Sequence, residues 1–374
     1  MKIVYLTFSI IPSALADSVQ SMRMCHGLAS AGHSVVLLAP NRPLPAPVSG
    51  EVHAYYGLPS SFTIRKLPWL HVMNRAYFYG AYAAWQARRQ RPDLVYSRTI
   101  WEAMWTRWLG LPVVFESHSP VAGRVTAPFF RRFLKSPGLR RLVVISDALR
   151  RYYVDQQGMD PSRVVVARDG ADPVPDNLPP PPERPGRTES LRIGYFGSLV
   201  EGRGLKLIAD LAARHPEADF LVVGGTVAQA ARWKAQRALP NLHVRASVAP
   251  GEIPRYLAAC DILLAPYERK VGIGLGSYET TAWMSPMKLF EYMAAGKAIL
   301  TSDLPALREF MEHERTAWLC PPEDGPAWEA ALSRLMSDPN LRRQLGAAAR
   351  SEVEMRYTWK ARAETVLAGL VVRG

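Results

Sequence analysis

The densest chemistry in the chain lies in Ser285-Pro286-Met287-Lys288-Leu289-Phe290-Glu291-Tyr292-Met293-Ala294-Ala295-Gly296. Ser285 is a candidate N-cap, Pro286 a first-turn proline and Gly296 a C-terminal stop, so this spacing predicts a helix. Lys288 and Glu291 fall on one face of it. The free N–H groups at its start, with the positive end of the helix dipole, suit a phosphate. The Glu291 carboxylate stands amid Leu289, Phe290, Tyr292 and Met293, and needs partners if buried. A pair of sugar hydroxyls would serve, and so would a plain ion pair with Lys288. A glycine-rich loop, Val271–Ser277, precedes the helix and could close over a ligand.

A second candidate is Gly197-Ser198-Leu199-Val200-Glu201-Gly202-Arg203-Gly204. Small residues let a ligand approach the backbone, and Arg203 can grip a diphosphate with two parallel N–H bonds. Glycine-rich turns are common, so this signal alone is weak. A third is His118, in Glu116-Ser117-His118-Ser119. It comes after an apolar run, Val113–Phe115, at what would be the carboxyl edge of a strand. A lone loop histidine is more often structural or merely exposed. Asp169-Gly170-Ala171-Asp172 forms a turn, but two acids without further oxygen ligands make a poor divalent-cation site.

Alternating strands and helices must position these residues. Lys2–Phe8, Ser34–Ala39, 94–96, 112–115, 142–145 and 164–167 read as strands in the first half. Helices are predicted over 18–31, 75–90, 100–109, 124–136 and 147–157, with Asp17 or Ser18 capping the first. A proline-rich stretch at 173–186 cannot continue a helix or a central strand, and proline tracts make stiff linkers. The pattern then restarts, with strands at 191–196, 220–223, 243–245, 262–264, 298–301 and 317–319. Helices are expected at 205–214, 251–258, 286–295, 304–313, 326–336 and 339–356. The expected fold is α/β, with two doubly wound Rossmann-like domains facing a cleft. Their expected bounds are 1–175 for the first, 176–190 for the linker and 191–357 for the second. The opening residues, MKIVYLTFSIIPSALA, imitate a secretory signal. A buried first strand is the better reading, because the helix and strand expected over residues 18–39 complete a βαβ unit with it.

The chain has 374 residues, with 46 Lys and Arg against 33 Asp and Glu. Apolar content of 48 % excludes a mostly disordered chain. The three cysteines, Cys25, Cys260 and Cys320, match no zinc spacing or disulfide framework, which suits a reducing compartment. The net charge is +13, and residues 1–175 hold 21 basic against 10 acidic residues. Between 62 and 151 the balance is 16 to 4, with tryptophans and tyrosines interleaved. That pattern suits an anionic membrane surface or a single-stranded nucleic acid, or core aromatics under a solvated basic face. No aromatic ribonucleoprotein motif is present, so no nucleic acid is expected as a partner. No run reaches the ~20 apolar residues that span a bilayer. The expected location is cytoplasmic, at most peripheral on the inner membrane face.

Together these residues resemble the retaining glycosyltransferases of family four, with the GT-B fold. The resemblance is strongest over Ser285–Asp303 and extends to Gly32-His33, Phe115–His118, Val144–Ser146, Gly197–Gly204 and Tyr357-Thr358-Trp359. It implies transfer of a sugar from a nucleoside diphosphate sugar, a UDP-sugar foremost, to a lipid-linked or polysaccharide acceptor. It implies retention of anomeric configuration, no cofactor and no metal. By position, Glu291 would hold the ribose hydroxyls. Arg203, Lys288 and the backbone around Ser285, Pro286 and Met287 would hold the diphosphate in the turn formed by Gly197, Ser198 and Gly204. His118 would sit by the donor sugar, giving His118, Arg203 and Lys288 as catalytic candidates. A terminal helix, within 358–374, would pack back on the first domain. The chain departs from the family at Trp283, where many members have a glutamate, and resembles the sub-group with a Ser-Pro-x-Lys helix start. Ser198 replaces a frequent arginine. A nucleotide-binding module without catalysis and a basic nucleic-acid-binding protein are the rival readings.

Overall fold

The computed structural model describes residues 1–43, 50–69, 75–120, 126–183, 186–187, 189–270 and 281–370. The loop Val271–Ser277 lies outside them. Two compact units divide the chain: Met1–Asp169 with the C-terminal residues from Trp359 onward, and Gly170–Thr358.

The first unit is built on a parallel sheet of seven strands: β1 (Lys2–Leu6), β2 (Ser34–Pro40), β3 (Thr63–Leu67), β4 (Leu94–Ser97), β5 (Val113–Ser117), β6 (Leu139–Val144) and β7 (Val164–Val166). Their order is β3-β2-β1-β4-β5-β6-β7. The signal-like opening residues are therefore a central strand, paired with β2 on one side and β4 on the other. Ile3 to Leu6 are fully buried, as a strand covered on both faces requires. The sequence pattern does not reveal β3. Its residues, TIRKL, alternate weakly and sit at a sheet edge, where partial exposure hides the apolar signal.

The second unit repeats the plan with β8 (Arg192–Phe196), β9 (Asp219–Val223), β10 (Leu242–Arg245), β11 (Ile262–Ala265), β12 (Ala298–Ser302) and β13 (Trp318–Cys320). Its order is β10-β9-β8-β11-β12-β13, again all parallel. The proline-rich stretch begins as part of this unit, not as a free spacer. Ala171 and Val174 are buried in its core and Leu178 packs against it. The helix expected at 304–313 shrinks to Pro305–Arg308, and Val227–Gln236 is a helix that periodicity did not single out. A capping box of Thr226 and Gln229 starts the latter.

Each sheet reverses its winding between two strands, β1/β4 in the first unit and β8/β11 in the second. The crevice beyond the carboxyl ends at such a switch point is where open α/β sheets bind ligands.

The helix Ile100–Trp108, just beyond the first switch point, buries a carboxylate. Glu102 Oε2 accepts a hydrogen bond from Ser97 Oγ at 3.2 Å, and Oε1 has no partner. Burial pushes its pKa up to about 7. The unfolded carboxyl ionises near 4.5, so the unfolded chain binds fewer protons between these values. Stability therefore falls as pH rises from about 4.5 to about 7. Glu102→Gln should remove this slope. Denaturant unfolding is expected to show little change at pH 5 and a gain of up to roughly 3 kcal/mol at pH 8.

Candidate active site

In the second unit the turn after β8 carries Gly197 to Gly204. A Cβ at Gly204 would lie 2.1 Å from the Pro266 carbonyl oxygen, and its φ of 66° is left-handed, so only glycine fits. This close approach brings the end of β8 against the end of β11. Arg203 takes its place from that packing: its guanidinium stands over the Tyr267 ring, 5.3 Å from the centroid. Its Nε is buried without a partner.

Lys288 enters from the helix Met287–Ala294. Its Nζ sits 4.4 Å from the Tyr195 ring centroid and 4.5 Å from that of Tyr267. A Cβ at Gly197 would come within 3.1 Å of the Tyr195 hydroxyl, tighter than an ordinary contact. Burial and the neighbouring Arg203 charge lower the Lys288 pKa well below the lysine range. The helix is pinned to β8 by Tyr292, whose hydroxyl accepts the Phe196 N–H at 2.7 Å. Tyr195 donates its hydroxyl proton to the Ser198 carbonyl at 2.9 Å, bracing the turn.

The helix start differs from the expected one. Pro286, with ψ of 111°, is the N-cap, and Ser285 is buried one residue earlier. Met287 is the first helical residue. Gly296 closes the helix in a left-handed conformation, as expected. Glu291 stands one turn beyond Lys288, half-buried. Trp283, where a glutamate is frequent in the family, presents a buried Nε1 with no partner.

His118 lies in the first unit, beyond β5. It lines a cavity of about 650 Å³ at the β1/β4 switch point, with Thr7 to Ile10 and Arg98 to Trp101 on the adjoining walls. Its Nε2 is 2.6 Å from Glu116 Oε1. Glu116 is fully buried on β5. Burial favours its neutral form, but the Arg362 charge and the His118 hydrogen bond prevail and hold its pKa well below the carboxylate range. An ionised carboxylate only accepts, so His118 must carry its proton on Nε2. Nδ1 then accepts from Arg98 Nη2 at 3.4 Å.

Glu116 in turn is held from the C-terminal helix Trp359–Leu367. Arg362 Nη2 donates to Oε1 at 2.9 Å and Nη1 to Oε2 at 3.1 Å. Gln20 Nε2 donates to Oε1 at 2.6 Å, and the Tyr96 hydroxyl to Oε2. The helix reaches this depth because Gly27 has no side chain: a Cβ there would lie 2.3 Å from the Trp359 carbonyl. Asp169 is buried near both His118 and Arg362, and burial raises its pKa against their pull. Among the described residues no three His, Cys, Asp or Glu side chains gather as a metal site would need.

Comparison with known proteins bears on both units. The family model described as "Glycosyltransferase Family 4" matches residues 18–174, and one described as "Glycosyl transferase-like" matches 203–368. A glycosyltransferase family 4 domain thus spans residues 18–174. A phosphatidyl-myo-inositol mannosyltransferase of Mycolicibacterium smegmatis is 28 % identical over 257 residues, 66 % of this chain and 62 % of that protein. The chain thus matches less than two thirds of that relative's length. Two solved structures share the fold. HepE of Anabaena, in complex with UDP and glucose, has a TM-score of 0.70 at 16 % identity, covering 99 % of this chain and 100 % of that one. WaaG, involved in lipopolysaccharide biosynthesis, has 0.65 at 14 %, covering 98 % and 100 %. Both sheets of this chain therefore have the GT-B architecture.

The structure brings Gly197, Arg203, Gly204 and Lys288 together at one switch point, and His118 to the other. Sequence reasoning passed over Tyr195, Tyr267 and Tyr292, which shape the first of these. It also passed over Arg98 and Arg362, which flank His118 and Glu116. A buried arginine on a terminal helix was the available signal, but nothing in the spacing names its partner.

Arg362→Met should strand the Glu116 carboxylate in the core. Breaking a buried pair costs about 3–5 kcal/mol. Pairing it with Glu116→Gln removes the unpaired charge, so the double variant should recover part of that loss in denaturant unfolding.

Proposed function

We propose that the chain is a retaining glycosyltransferase that moves a sugar from a nucleoside diphosphate sugar to a lipid-linked or polysaccharide acceptor. The observation that carries this reading is the pair of cations, Arg203 and Lys288, confined against Tyr267 at the switch point of the second sheet. No carboxylate among the described residues forms an ion pair with either. The solved complexes of HepE with UDP support a UDP-sugar as donor.

In this reading the second unit holds the donor. Ser285, Pro286 and Met287 offer backbone at the helix start to the diphosphate, with Gly197, Ser198 and Gly204 below it. Glu291 takes the ribose hydroxyls. Breaking the anomeric C–O bond leaves negative charge on the diphosphate, and Arg203 and Lys288 stabilise that charge as it develops. The acceptor oxygen bonds to the anomeric carbon on the face the diphosphate leaves. The hydroxyl proton passes to a phosphate oxygen of the departing group, so configuration is retained. His118 is the catalytic candidate of the first unit, which takes the acceptor. No cofactor or metal is invoked.

The exposed rings of Trp85, Trp108 and Phe129 stand near Arg88, Arg131 and Arg132 in sequence. They support docking on an anionic membrane surface from the cytoplasmic side. Among the described residues no helix is long and apolar enough to cross a membrane.

A thermal-shift panel of nucleoside diphosphates and their sugars tests the donor. A ligand at 100 times its dissociation constant should stabilise by about 2.7 kcal/mol. Arg203→Ala should lower turnover by about 10²–10³-fold, and Glu291→Ala should weaken nucleotide binding. Persistent binding with no turnover in any donor panel would favour a non-catalytic module. The anomeric configuration is read by NMR of the product: retention is expected, and inversion would overturn the front-face step.

A further inference from the structure

The cavity of the first unit has an electrical character that its role as an acceptor site leaves unexplained. Two guanidinium groups line it, Arg42 and Arg98, together with the His118 imidazole. Among the described residues Asp17 is the one carboxylate on its walls, and that residue is exposed. Among the described residues neither arginine makes an ion pair. Arg98 Nη1 donates to the Asp17 backbone carbonyl at 3.0 Å and Nη2 to His118. Its Nε is buried without a partner. Arg42 is held by rings, 4.9 Å from the Trp69 centroid and 5.6 Å from that of Phe8. Such stacking fixes a guanidinium in place without neutralising it.

Two fixed guanidiniums without an ion-pair partner among the described residues, facing a partly apolar cavity, are favourable to fill with an anion. Phe8, Ile10, Leu15, Trp101 and Phe130 supply the apolar walls. We infer that this cavity binds an acceptor bearing a phosphate ester, with its phosphate on Arg42 and Arg98. A dianion matches two guanidiniums better than a single carboxylate does. The inference rests on the proposed division of labour, in which the donor belongs to the second unit. It adds the chemical class of the acceptor: the phosphate of a soluble sugar phosphate or of a lipid headgroup.

His118 has a defined part in this. The Glu116 carboxylate keeps the imidazole proton on Nε2, so Nδ1 presents a lone pair that orients Arg98 instead of repelling it. The charge on the cavity wall is thus set from the protein interior.

Calorimetric titration of the full chain decides the matter, with glucose 6-phosphate, dihexanoyl phosphatidic acid, glucose and glucuronate as probes and UDP in parallel. At least one phosphate ester should bind saturably and ten-fold or more tighter than glucose and glucuronate. Whichever ester binds identifies the source, soluble or lipid. Arg42→Met and Arg98→Met should each cost the ester ten-fold or more while UDP binding holds. Arg42→Lys and Arg98→Lys, which keep the charge and lose the fork, should fall between. Esters that bind no better than glucose would overturn the inference, and that comparison needs no variant. Variants that weaken UDP as much as the ester would also overturn it, by assigning both cations to the donor. Ester binding without UDP binding would support the phosphate site and sink the donor reading instead.

Discussion

The first unit depends on one buried ion pair. Arg362 uses all five of its N–H donors: two on Glu116, and one each on the carbonyls of Ala167 and Arg168 and the Met24 sulfur. Glu116 receives Gln20, Tyr96 and His118 as well. A buried pair is a poor source of stability when its desolvation is left uncompensated. Here every donor of the guanidinium is satisfied, and the carboxylate accepts from four side chains. The consequence is specificity of arrangement. The chain leaves the first unit at Asp169, builds the second, and returns at Trp359. Arg362 can meet its partners only if that return is made in one register against the opening helix, where Gly27 leaves room.

The two units use the same switch-point geometry, and both set cations against rings there. At β8/β11 Lys288 lies between two aromatic rings beside Arg203, and its proton affinity is lowered by burial and by the Arg203 charge. At β1/β4 Arg42 rests on rings and Arg98 on an imidazole, and neither makes an ion pair among the described residues. The charge excess of the sequence belongs largely to this unit, with 21 basic against 10 acidic residues before position 176. As a bulk quantity that excess fits many polyanions. Resolved to Arg42 and Arg98, it becomes a property of one cavity.

Periodicity and punctuation made most of the fold legible. Lys2–Phe8 reads as a buried strand, and Leu205–Arg214 as a helix, because burial on both faces or on one stripe leaves its period in the residues. The edge strand Thr63–Leu67 does not, since only Leu67 of its five residues is buried. At the site, Arg203, Lys288 and Gly204 were legible because a cation in a glycine turn, or at a helix start, states its chemistry locally. Ser285 as the cap was not, because the choice between Ser285 and Pro286 is made by one ψ angle. Tyr195 and Tyr267 were hidden for a different reason. An aromatic ring on a strand end looks like core until a lysine from 93 residues away arrives beside it. Arg362 was hidden for the same reason, across 246 residues.

The lowered proton affinity of Lys288 has a consequence for how a donor would enter. Burial and Arg203 both disfavour its charged form. A diphosphate brings negative charge into the same low-dielectric space, where its attraction exceeds the repulsion between the two cations. Lysine protonation and diphosphate binding would then favour each other. A permanently protonated pair would repel in the empty protein. A neutral one could not stabilise a leaving group. A lysine of lowered proton affinity beside an arginine eases that conflict, and burial together with the Arg203 charge is what lowers it.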